Sequence, residues 1–367
     1  MDNLNQKIAK VAIIGCGRVS GHHCRSVIET EGAELIAVCD LDENKANAYR
    51  DQYGAKSYTN YHKMLAENPE INTVAIITPS GMHFEHGLEI LEKYKKNLII
   101  EKPTFMKPSQ LDQVFDLAKK NGVHIFPVFQ NRHNLAVQRV KQGLISGELG
   151  KIRIVSVRVR WCRPQHYYDL APWRGTYSMD GGCLTNQGIH HIDLMRFFGG
   201  DAVEVCAKMN TQGAKIEVED TAVGSVLFKN GALGSVEVTT AARPIDFEAS
   251  LSIVCENGLA QIGGIAVNEL QIYTPDPTVC SVNSEDFSGN VYGRGHFKLY
   301  QEIVNFYQKN EPFSVSNDDA KSTIRLLNAF YLADEKNSWI NVDKATESYR
   351  LGSANENLAN LYRTPKN

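Results

Sequence analysis

The sequence has 367 residues, of which 43% are hydrophobic and 22% charged, and its formal net charge is −3. This length allows two domains with buried cores, and the small net charge, without blocks of one sign, argues against nucleic acid or an anionic membrane as partner. The first residues are polar, no apolar run is long enough to span a membrane, and the eight cysteines are scattered. We therefore expect a cytoplasmic protein with reduced cysteines.

The first predicted strand, at 10–14, ends in a glycine-rich loop with the sequence G-C-G-R-V-S-G. Gly15 allows the tight turn, and Gly17 lets a pyrophosphate approach the backbone at the N-terminus of the following helix. Free N–H groups and the helix dipole favour an anion there. Glycine triplets are common, so the context decides their meaning; here the loop predicts a dinucleotide site that includes Arg18 and Val19.

A second predicted strand, at 34–39, is followed by Asp40. A carboxylate at this position can bind the 2′-hydroxyl of the adenosine ribose, and it repels the 2′-phosphate of NADP. The next residue is Leu41 rather than an arginine that could bind a phosphate. The sequence therefore favours NAD. Asp40 can also serve as the N-cap of the next helix, which is compatible with the first role.

Strands and helices continue to alternate up to residue 128. We predict further strands at 74–77, 97–100 and 123–128, separated by helices at 84–93 and 108–121. This alternation is typical of a doubly wound parallel sheet, whose ligands bind at the carboxyl ends of the strands. Those ends carry residues that we expect to contact the cofactor, namely Thr78, Ser80, His83, Glu101 and Lys102. Residues 1–129 are therefore predicted to form an α/β Rossmann domain that binds NAD.

The pattern changes after residue 150, where apolar and polar residues alternate. Strands are predicted at 155–161, 203–209, 220–228, 233–239, 247–255 and 259–262, with hairpin turns at 229–231 and 256–258. Two closing helices are predicted at 297–307 and 318–335. Residues 130–367 are expected to form an α+β domain with a large open antiparallel sheet. The free face of such a sheet favours a homo-oligomer, and we expect a tetramer.

The stretch at 180–193, D-G-G-C-L-T-N-Q-G-I-H-H-I-D, begins with a glycine pair and continues as an apolar helix that ends at Gly199. Asn186 and His190 lie four residues apart, so one continuous helix would place them on the same face. Asp193 would be close enough on that helix to orient the imidazole of His190. Two interpretations remain open from this stretch alone: a core histidine that Asp193 satisfies, or a catalytic histidine.

Three motifs together resemble the glucose-fructose oxidoreductase/inositol dehydrogenase (Gfo/Idh/MocA) family over nearly the whole chain. They are the split glycine loop, E-K-P at 101–103 and G-x-H-x-x-D at 188–193. The resemblance implies a catalytic Lys102, often followed in this family by a cis proline, and a catalytic His190 with Asp193 behind it. Many members carry aspartate four residues before this histidine. The chain has Asn186 there, which removes a second carboxylate from the site.

A longer run of motifs is similar to bacterial UDP-N-acetylglucosaminuronate 3-dehydrogenases. It comprises Q-N-R at 130–132, R-W at 160–161, R-P-Q-H-Y-Y-D at 163–169, W-R-G-T at 173–176 and the stretch at 180–193. In that group the C3 hydroxyl of the nucleotide sugar is oxidised to a ketone, for diacetamido uronic acids of surface polysaccharides such as O-antigen. NAD stays tightly bound, and some members recycle it with 2-oxoglutarate. The resemblance implies a nucleotide-sugar substrate and makes 2-oxoglutarate a candidate second partner.

Hydride transfer from a secondary alcohol requires a nicotinamide near the carbon, a base for the hydroxyl proton and a positive group beside the developing oxygen charge. We expect His190 to be the base, because a neutral imidazole with an ordinary pKa of ~6.5 is suited to accept a proton near neutral pH. Lys102 would stabilise the alkoxide. The reverse assignment, with a desolvated Lys102 as base, stays open. Asn186 would orient the substrate or the nicotinamide, and His191 is expected to be structural.

A uronate carboxylate and a pyrophosphate both require cations in the pocket. Besides Lys102, Asn186 and His190, we expect substrate contacts from a cluster that precedes the histidine, namely Arg160, Arg163, Gln165 and Tyr168. Trp173 and Arg174 match a family motif that lies near the cofactor, and together with Gln130 they are expected to contact NAD. No zinc-like spacing of histidine and cysteine occurs, so we expect no metal.

Two rival functions remain. A different sugar or inositol dehydrogenase would keep Lys102 and His190 but take another substrate. A non-catalytic NAD-binding regulator would keep Asp40 and the glycines while losing Lys102 or His190. Both catalytic candidates are present in this sequence, which favours an enzyme.

Overall fold

The structure is a computed structural model that describes residues 8–287, 292–344 and 347–365. The polar first seven residues, which contributed to the expected location, lie outside the described residues. Within the described ranges, no helix is apolar over enough of its length to cross a membrane. All eight cysteines fall in these ranges and all are free, as the sequence predicted.

The first domain consists of alternating strands and helices. In chain order they are β1 (Ala9–Ile14), α1 (Ser20–Glu29), β2 (Ala33–Cys39), α2 (Glu43–Tyr53), β3 (Lys56–Tyr58), α3 (Tyr61–Glu67), β4 (Thr73–Ile76), α4 (His83–Lys93), β5 (Asn97–Ile100), α5 (Pro108–Asn121) and β6 (Ile125–Pro127). The strands form one sheet in the order β3-β2-β1-β4-β5-β6, with parallel neighbours throughout. Helices cover both faces, so β4 is buried along its whole length. The predicted doubly wound fold is confirmed.

The second domain contains eight strands and eight helices in the described ranges. They are α6 (Leu135–Ile145), β7 (Ile152–Arg160), α7 (Gln165–Tyr168), α8 (Gly182–Asn186), α9 (Ile189–Gly199), β8 (Ala202–Asn210), β9 (Thr221–Phe228), β10 (Leu233–Thr239), β11 (Glu248–Cys255), β12 (Leu259–Gly263), β13 (Glu269–Tyr273), α10 (Val279–Val282), α11 (Gly295–Lys309), α12 (Asn317–Lys336), β14 (Ile340–Asn341) and α13 (Glu356–Asn360). The open sheet has the order β13-β12-β11-β7-β10-β9-β8-β14.

This second sheet is antiparallel except at its centre, where β7 and β10 run parallel. The long connection from β7 through α7, α8 and α9 to β8 allows the later strands to return beside β7 in the same direction. The predicted antiparallel sheet is therefore correct in class, and this one pair departs from it.

Helix α11 follows strand β13 of the second sheet in sequence but packs against the first domain. Its Leu299, Tyr300 and Ile303 are buried with Val27 of α1 in one hydrophobic cluster. A second, larger cluster contains residues of both sheets. The two domains are thus joined by continuous packing across the boundary predicted at residue 130.

Candidate active site

A cleft of about 760 Å³ lies where the carboxyl ends of the parallel strands face the second domain. This volume is in the range of pockets that bind small molecules and cofactors, roughly 300–1,000 Å³. Its walls include most of the residues predicted for cofactor and substrate, namely Gly15, Gly17, Arg18, Val19, Asp40, Thr78, Ser80, His83, Glu101, Lys102, Gln130, Arg163, Trp173, Arg174, Asn186 and His190.

The glycine loop is shaped to leave its backbone open to a ligand. Gly15 has a φ of 97°, and an added Cβ would lie 2.6 Å from the carbonyl oxygen of Ile77. Nothing lies within 4 Å of the position that a Cβ on Gly17 would take. Ser20, the first residue of α1, accepts a hydrogen bond from the Gly17 N–H (3.2 Å). A phosphate can therefore approach Gly17 at the N-terminus of α1.

Asp40 lies at the end of β2, beside this loop. Its carboxylate accepts hydrogen bonds from the backbone N–H groups of Cys16 (2.8 Å) and Asp42 (2.9 Å). A carboxylate has further lone pairs, so Asp40 can also accept from ribose hydroxyls. The nearby Lys45 is paired with Asp42 at 3.6 Å. These residues fit an adenosine ribose without a 2′-phosphate.

Lys102 follows β5 and reaches across the cleft to the end of α8. Its ammonium donates to the backbone carbonyl of Asn186 (2.8 Å) and lies 3.3 Å from the side-chain oxygen of the same residue. Burial lowers the pKa of Lys102, whereas the carboxylates of Glu101 and Asp180 oppose this shift. The arrangement places one cation, half-buried, at the wall of the cleft.

His190 lies on the facing wall, in the first turn of α9. Its Nε2 is 3.4 Å from the amide nitrogen of Gln130, and its buried Nδ1 has no hydrogen-bond partner among the described residues. Burial, followed by the positive charge of Lys102, lowers the pKa of His190 well below its usual value. The imidazole is therefore neutral at physiological pH and able to accept a proton.

Asp193 does not orient His190, which corrects the prediction made from their spacing. Its carboxylate is held by Arg132, at 2.7 Å from Nε and 2.5 Å from Nη2, and by the hydroxyl of Thr323 at 2.9 Å. The predicted continuous helix is also wrong, because α8 ends at Asn186 and α9 begins only at Ile189. This break leaves the Asn186 carbonyl at the end of α8, where Lys102 can bind it.

Glu101 belongs to a buried hydrogen-bond cluster behind Lys102. It accepts from Nε2 of His23 (3.0 Å) and of His296 (3.3 Å), and from the backbone N–H of Lys102 (3.0 Å). Burial alone would raise the pKa of Glu101, but the hydrogen bonds from the two histidines bring it well below its usual value. Tyr300 of α11 contacts the other nitrogen of His23 at 2.9 Å. The cluster thus ties α1 and α11 to the end of β5.

The ligand atoms of His23, Glu101 and His296 lie within 4.8 Å of one another, which is the spacing of a metal site. Among the residues that the structure describes, this is the one group of histidine and carboxylate side chains with such a spacing. The same atoms already form the hydrogen bonds above, so a metal would have to replace them. The absence of a metal stays a prediction.

Aromatic rings and arginines form another part of the cleft wall. Arg174 lies 4.4 Å from the ring centre of Tyr167 and 4.5 Å from that of Trp173. Its Nε is buried without a hydrogen-bond partner among the described residues. Arg163 packs near Trp161 and is paired with Asp246 at 2.8 Å. Arg174 is therefore the more available of the two for an anionic ligand.

Three residues predicted to bind substrate lie outside the walls of the cleft. Arg160 is held by Glu237 (2.6 Å) and Glu248 (3.1 Å) on neighbouring strands. Tyr168 is buried, with its hydroxyl 2.9 Å from that of Thr240. Gln165 binds the backbone of Lys215 (2.7 Å) and the side chain of Asp169 (3.0 Å). The motif correctly suggested that these residues lie near the site, but it could not show that residues on neighbouring strands and loops would bind their side chains.

The cleft also contains residues that the sequence analysis did not assign to it. Both ring nitrogens of His191 are buried without partners among the described residues, and the ring meets Trp161 edge-on at 6.3 Å. Leu361, Tyr362 and Thr364 also line the cleft. Nothing in the sequence pattern connects this segment to a cleft whose other lining residues lie between Ile14 and Tyr292.

Two family models match the chain. Residues 9–129 match an oxidoreductase family with an NAD-binding Rossmann fold. Residues 137–261 match the GFO/IDH/MocA C-terminal domain. The two matches correspond to the parallel-sheet domain and to most of the open sheet.

Solved structures of similar proteins cover almost the whole chain. The WlbA dehydrogenase of Bordetella pertussis, in complex with NADH and UDP-GlcNAcA, is 31% identical with a TM-score of 0.86, over 92% of this chain and 98% of that chain. The WlbA enzyme of Chromobacterium violaceum, with the same two ligands, is 33% identical with a TM-score of 0.84, over 92% and 97%.

A curated relative has a different substrate in its name. The D-glucoside 3-dehydrogenase of Escherichia coli K12 is 30% identical over 256 residues, which is 63% of this chain and 70% of that protein. Together with the glycine loop, Asp40 and the facing Lys102 and His190, these matches establish the cofactor as NAD. The chain belongs to the Gfo/Idh/MocA family of NAD-dependent oxidoreductases that act on sugars and polyols.

Proposed function

We propose that the protein oxidises the C3 hydroxyl of UDP-N-acetylglucosaminuronic acid to a ketone with NAD. The observation that carries this proposal is the similarity, over 92% of the chain, to two dehydrogenases whose structures contain NADH and this nucleotide sugar. The motifs between residues 130 and 193 support the same substrate, because each of them except R-W at 160–161 contributes predicted site residues that line the cleft, such as Gln130, Arg163 and Asn186.

The charges in the cleft suit a ligand with a carboxylate and a pyrophosphate. Arg18 and Arg174 line the cleft and form no ion pair with a carboxylate in the described ranges. Lys102 adds a third positive charge that is bound only to the neutral Asn186. Guanidinium groups bind carboxylates and phosphates with two parallel hydrogen bonds. We therefore assign Arg174, which the sequence motif predicted to contact NAD, to the uronate instead.

Residues on both walls of the cleft take part in the proposed reaction. Bound NAD supplies the acceptor for the hydride that leaves C3. His190 takes the proton of the C3 hydroxyl, since its imidazole is neutral and exposed to the cleft. Lys102 donates a hydrogen bond to the same oxygen and stabilises its developing negative charge. Asn186 accepts hydrogen bonds from the Lys102 ammonium and so holds this group in position.

A second candidate function is the oxidation of a sugar or polyol without a nucleotide. The 30% identity to a D-glucoside 3-dehydrogenase favours it. Lys102 and His190 would have the same roles, because they act only on the reacting carbon and its hydroxyl. The two candidates differ in what the arginines bind.

A substrate panel with NAD separates the candidates. We expect turnover of UDP-N-acetylglucosaminuronic acid to exceed that of three comparison compounds: UDP-N-acetylglucosamine, which lacks the carboxylate; UDP-glucuronic acid, which lacks the acetamido group; and a D-glucoside. Replacing Arg174 with Met should remove most of the preference for the carboxylate, whereas Arg153→Met, which changes an exposed side chain on β7, should not. Activity confined to the D-glucoside or to inositol would establish the second candidate.

Further parts of the proposal concern partners and location. Adding 2-oxoglutarate should allow turnover with NAD that remains bound, if this acid accepts the hydride in a second half-reaction. A cytoplasmic location remains the expectation, since NAD and nucleotide sugars are made there.

A homo-oligomer, with a tetramer favoured, is proposed from the free face of the second sheet. Ile154, Leu233, Val254 and Leu259 are exposed and lie side by side across four neighbouring strands. Such an apolar row is more stable when another copy covers it.

A further inference from the structure

Asn186 has a carboxylate partner six residues earlier in the chain, Asp180. Asp180 is buried, with 2% of its surface exposed, and lies behind Asn186 as seen from the cleft. Its carboxylate accepts hydrogen bonds from the Asn186 side-chain amide and from the backbone N–H of Gly175 (2.8 Å). Asp180 therefore contacts a residue of the site without touching the cleft itself.

The backbone on either side explains this geometry. Gly181 and Gly182 have φ values of 78° and 75°, in the left-handed region. A Cβ at Gly182 would overlap the carboxylate of Glu219 at 2.2 Å. Only a glycine pair makes this turn, which leads directly into α8 and brings the side chains of residues 180 and 186 together.

The orientation of the Asn186 amide follows from its partners. Burial raises the pKa of Asp180, whereas the backbone N–H of Gly175 and the positive charge of Arg174 oppose this shift. In its ionised form the carboxylate only accepts hydrogen bonds, so the amide nitrogen faces Asp180. The amide oxygen then faces the ammonium of Lys102, at 3.3 Å. If the amide were reversed, its oxygen would meet a carboxylate and its N–H groups would meet an ammonium. Asp180 thus determines that Asn186 presents an acceptor to Lys102.

We propose that Asp180 is a positioning residue of the catalytic centre: its carboxylate fixes the Asn186 side chain, which holds the Lys102 ammonium, and it supplies the negative charge that position 186 lacks. This inference rests on the proposed roles of Lys102 and His190. It extends them by a residue that lies outside the E-K-P and G-x-H-x-x-D motifs.

The charges around Lys102 determine in which direction its titration midpoint should move when Asp180 is replaced. Asp180 and Glu101 are the negative groups that face it, Arg174 is a positive one, and His190 is neutral. Removing the negative charge at position 180 should make the ammonium easier to deprotonate. The midpoint of Lys102 titration should then move to lower pH by about one unit, as expected for the loss of a nearby opposite charge.

The midpoint can be measured without substrate. We suggest labelling the full-length protein with acetic anhydride across a pH series and quantifying acetylation of Lys102 by peptide mass spectrometry. Asp180→Asn should shift the midpoint to lower pH, because the carboxylate of Asp180 raises the pKa of Lys102 through its charge. The double variant Asp180→Asn/Asn186→Asp, which exchanges the amide and the carboxylate, should restore it. Asp180→Ser carries the same test if Asp180→Asn does not fold, because its hydroxyl can still accept from Gly175.

Glu219→Gln is the matched control. Glu219 is a buried carboxyl on the other side of α8, where it accepts from the backbone N–H of Leu184 at 3.1 Å and does not face Lys102. This variant should leave the Lys102 midpoint unchanged. An unshifted midpoint in Asp180→Asn, a midpoint that stays displaced in the exchange variant, or an equal shift in Glu219→Gln would each overturn the proposal.

Turnover provides the second readout. With the sugar substrate, Asp180→Asn should lower kcat by about 10- to 100-fold while KM changes little, because the displaced ammonium acts on the reacting oxygen. The exchange variant should recover most of this loss. If the wild type oxidised no nucleotide sugar, the proposed function would fail, yet the labelling result would still decide the role of Asp180.

Discussion

Asp193 is bound to Arg132 rather than to His190. The guanidinium of Arg132 contacts both oxygens of the carboxylate, at 2.7 and 2.5 Å, and both side chains are buried. Arg132 also pairs with Asp319 at the start of α12. The aspartate of the G-x-H-x-x-D motif therefore connects α9 to the short helical turn at Gln130–His133 and to α12. It positions the catalytic helix, not the imidazole.

This pairing predicts a stability defect in Asp193→Asn. The change removes the negative charge of Asp193 that faces the buried guanidinium of Arg132. Breaking such a buried ion pair costs about 3–5 kcal/mol. We expect chemical denaturation to show a loss of this size in the free energy of unfolding. The pH dependence of kcat/KM should be unchanged at temperatures where the variant is folded. A stable variant with a shifted pH profile would mean that Asp193 acts on His190 after all.

The low pKa of His190 predicts how activity responds to acid. Because burial lowers this pKa well below the usual value, a proton binds the free imidazole only at correspondingly lower pH. The value of kcat/KM should therefore stay level as pH falls through ~6.5, the ordinary pKa of histidine, and decline only below it. His190→Asn should lower kcat by about 10²- to 10⁴-fold. A decline centred at or above the ordinary pKa would argue against His190 as the base.

Lys102→Arg distinguishes the two assignments for the lysine. Arginine keeps the positive charge but does not release its proton in proteins. If Lys102 stabilises the alkoxide, the wild-type kcat/KM falls as pH rises through the lowered pKa of Lys102, and this alkaline decline disappears in Lys102→Arg, which retains partial activity. If Lys102 is the base, kcat/KM rises over the same range and the variant is inactive. Lys102→Met, without charge or proton, is the control for both cases.

His191 is predicted to contact a bound ligand. Burial lowers its pKa to about 4, so the ring is neutral and offers one donor and one acceptor, and neither has a partner in the described structure. His191→Phe keeps the ring shape and removes the polar atoms. We expect a higher thermal midpoint without ligands, because a buried unsatisfied group is lost, and a KM for the sugar raised about 3- to 10-fold, the value of one neutral hydrogen bond. A lower midpoint with an unchanged KM would show a purely structural histidine.

Glu219 predicts a slope of stability with pH. Burial raises its pKa to about 8, so the folded protein holds a proton that the unfolded chain releases near pH 4.5. Because the native state binds more protons, stability falls as pH rises from the unfolded value to the folded one. The loss is on the order of a few kcal/mol. Denaturation of the wild type and of Glu219→Gln at pH 5 and pH 8 measures it. Equal slopes in the two proteins would contradict the assignment.

The first domain could be predicted almost entirely from its sequence. Strands followed by helices, with Gly15, Asp40, Thr78 and Lys102 after β1, β2, β4 and β5, determine both the sheet and the edge where ligands bind. The sheet topology brings these residues together, because parallel strands have their carboxyl ends at one edge. The prediction that Lys102 and His190 meet at one cleft needed the family resemblance as well, and the geometry agrees with it.

The second domain was less predictable, since its contacts connect distant parts of the chain. The spacing of Asn186 and His190 predicts one helix, but the turn at residues 187–188 interrupts it. Arg160 is a residue type expected to bind an anionic ligand, yet strands β10 and β11 place Glu237 and Glu248 beside it. Tertiary partners of this kind have no signal in a local pattern.

The central claim, that C3 gives up a hydride to NAD, is tested most directly with UDP-N-acetylglucosaminuronic acid deuterated at C3. Mass spectrometry of the reduced cofactor after a single turnover shows where the deuterium goes, and sugar deuterated at C4 serves as the control. We predict one deuterium in each NADH formed from the C3-labelled sugar, none from the C4-labelled sugar, and a 3-keto product. NADH free of deuterium from the C3-labelled sugar, or no NADH at all, would contradict the claim.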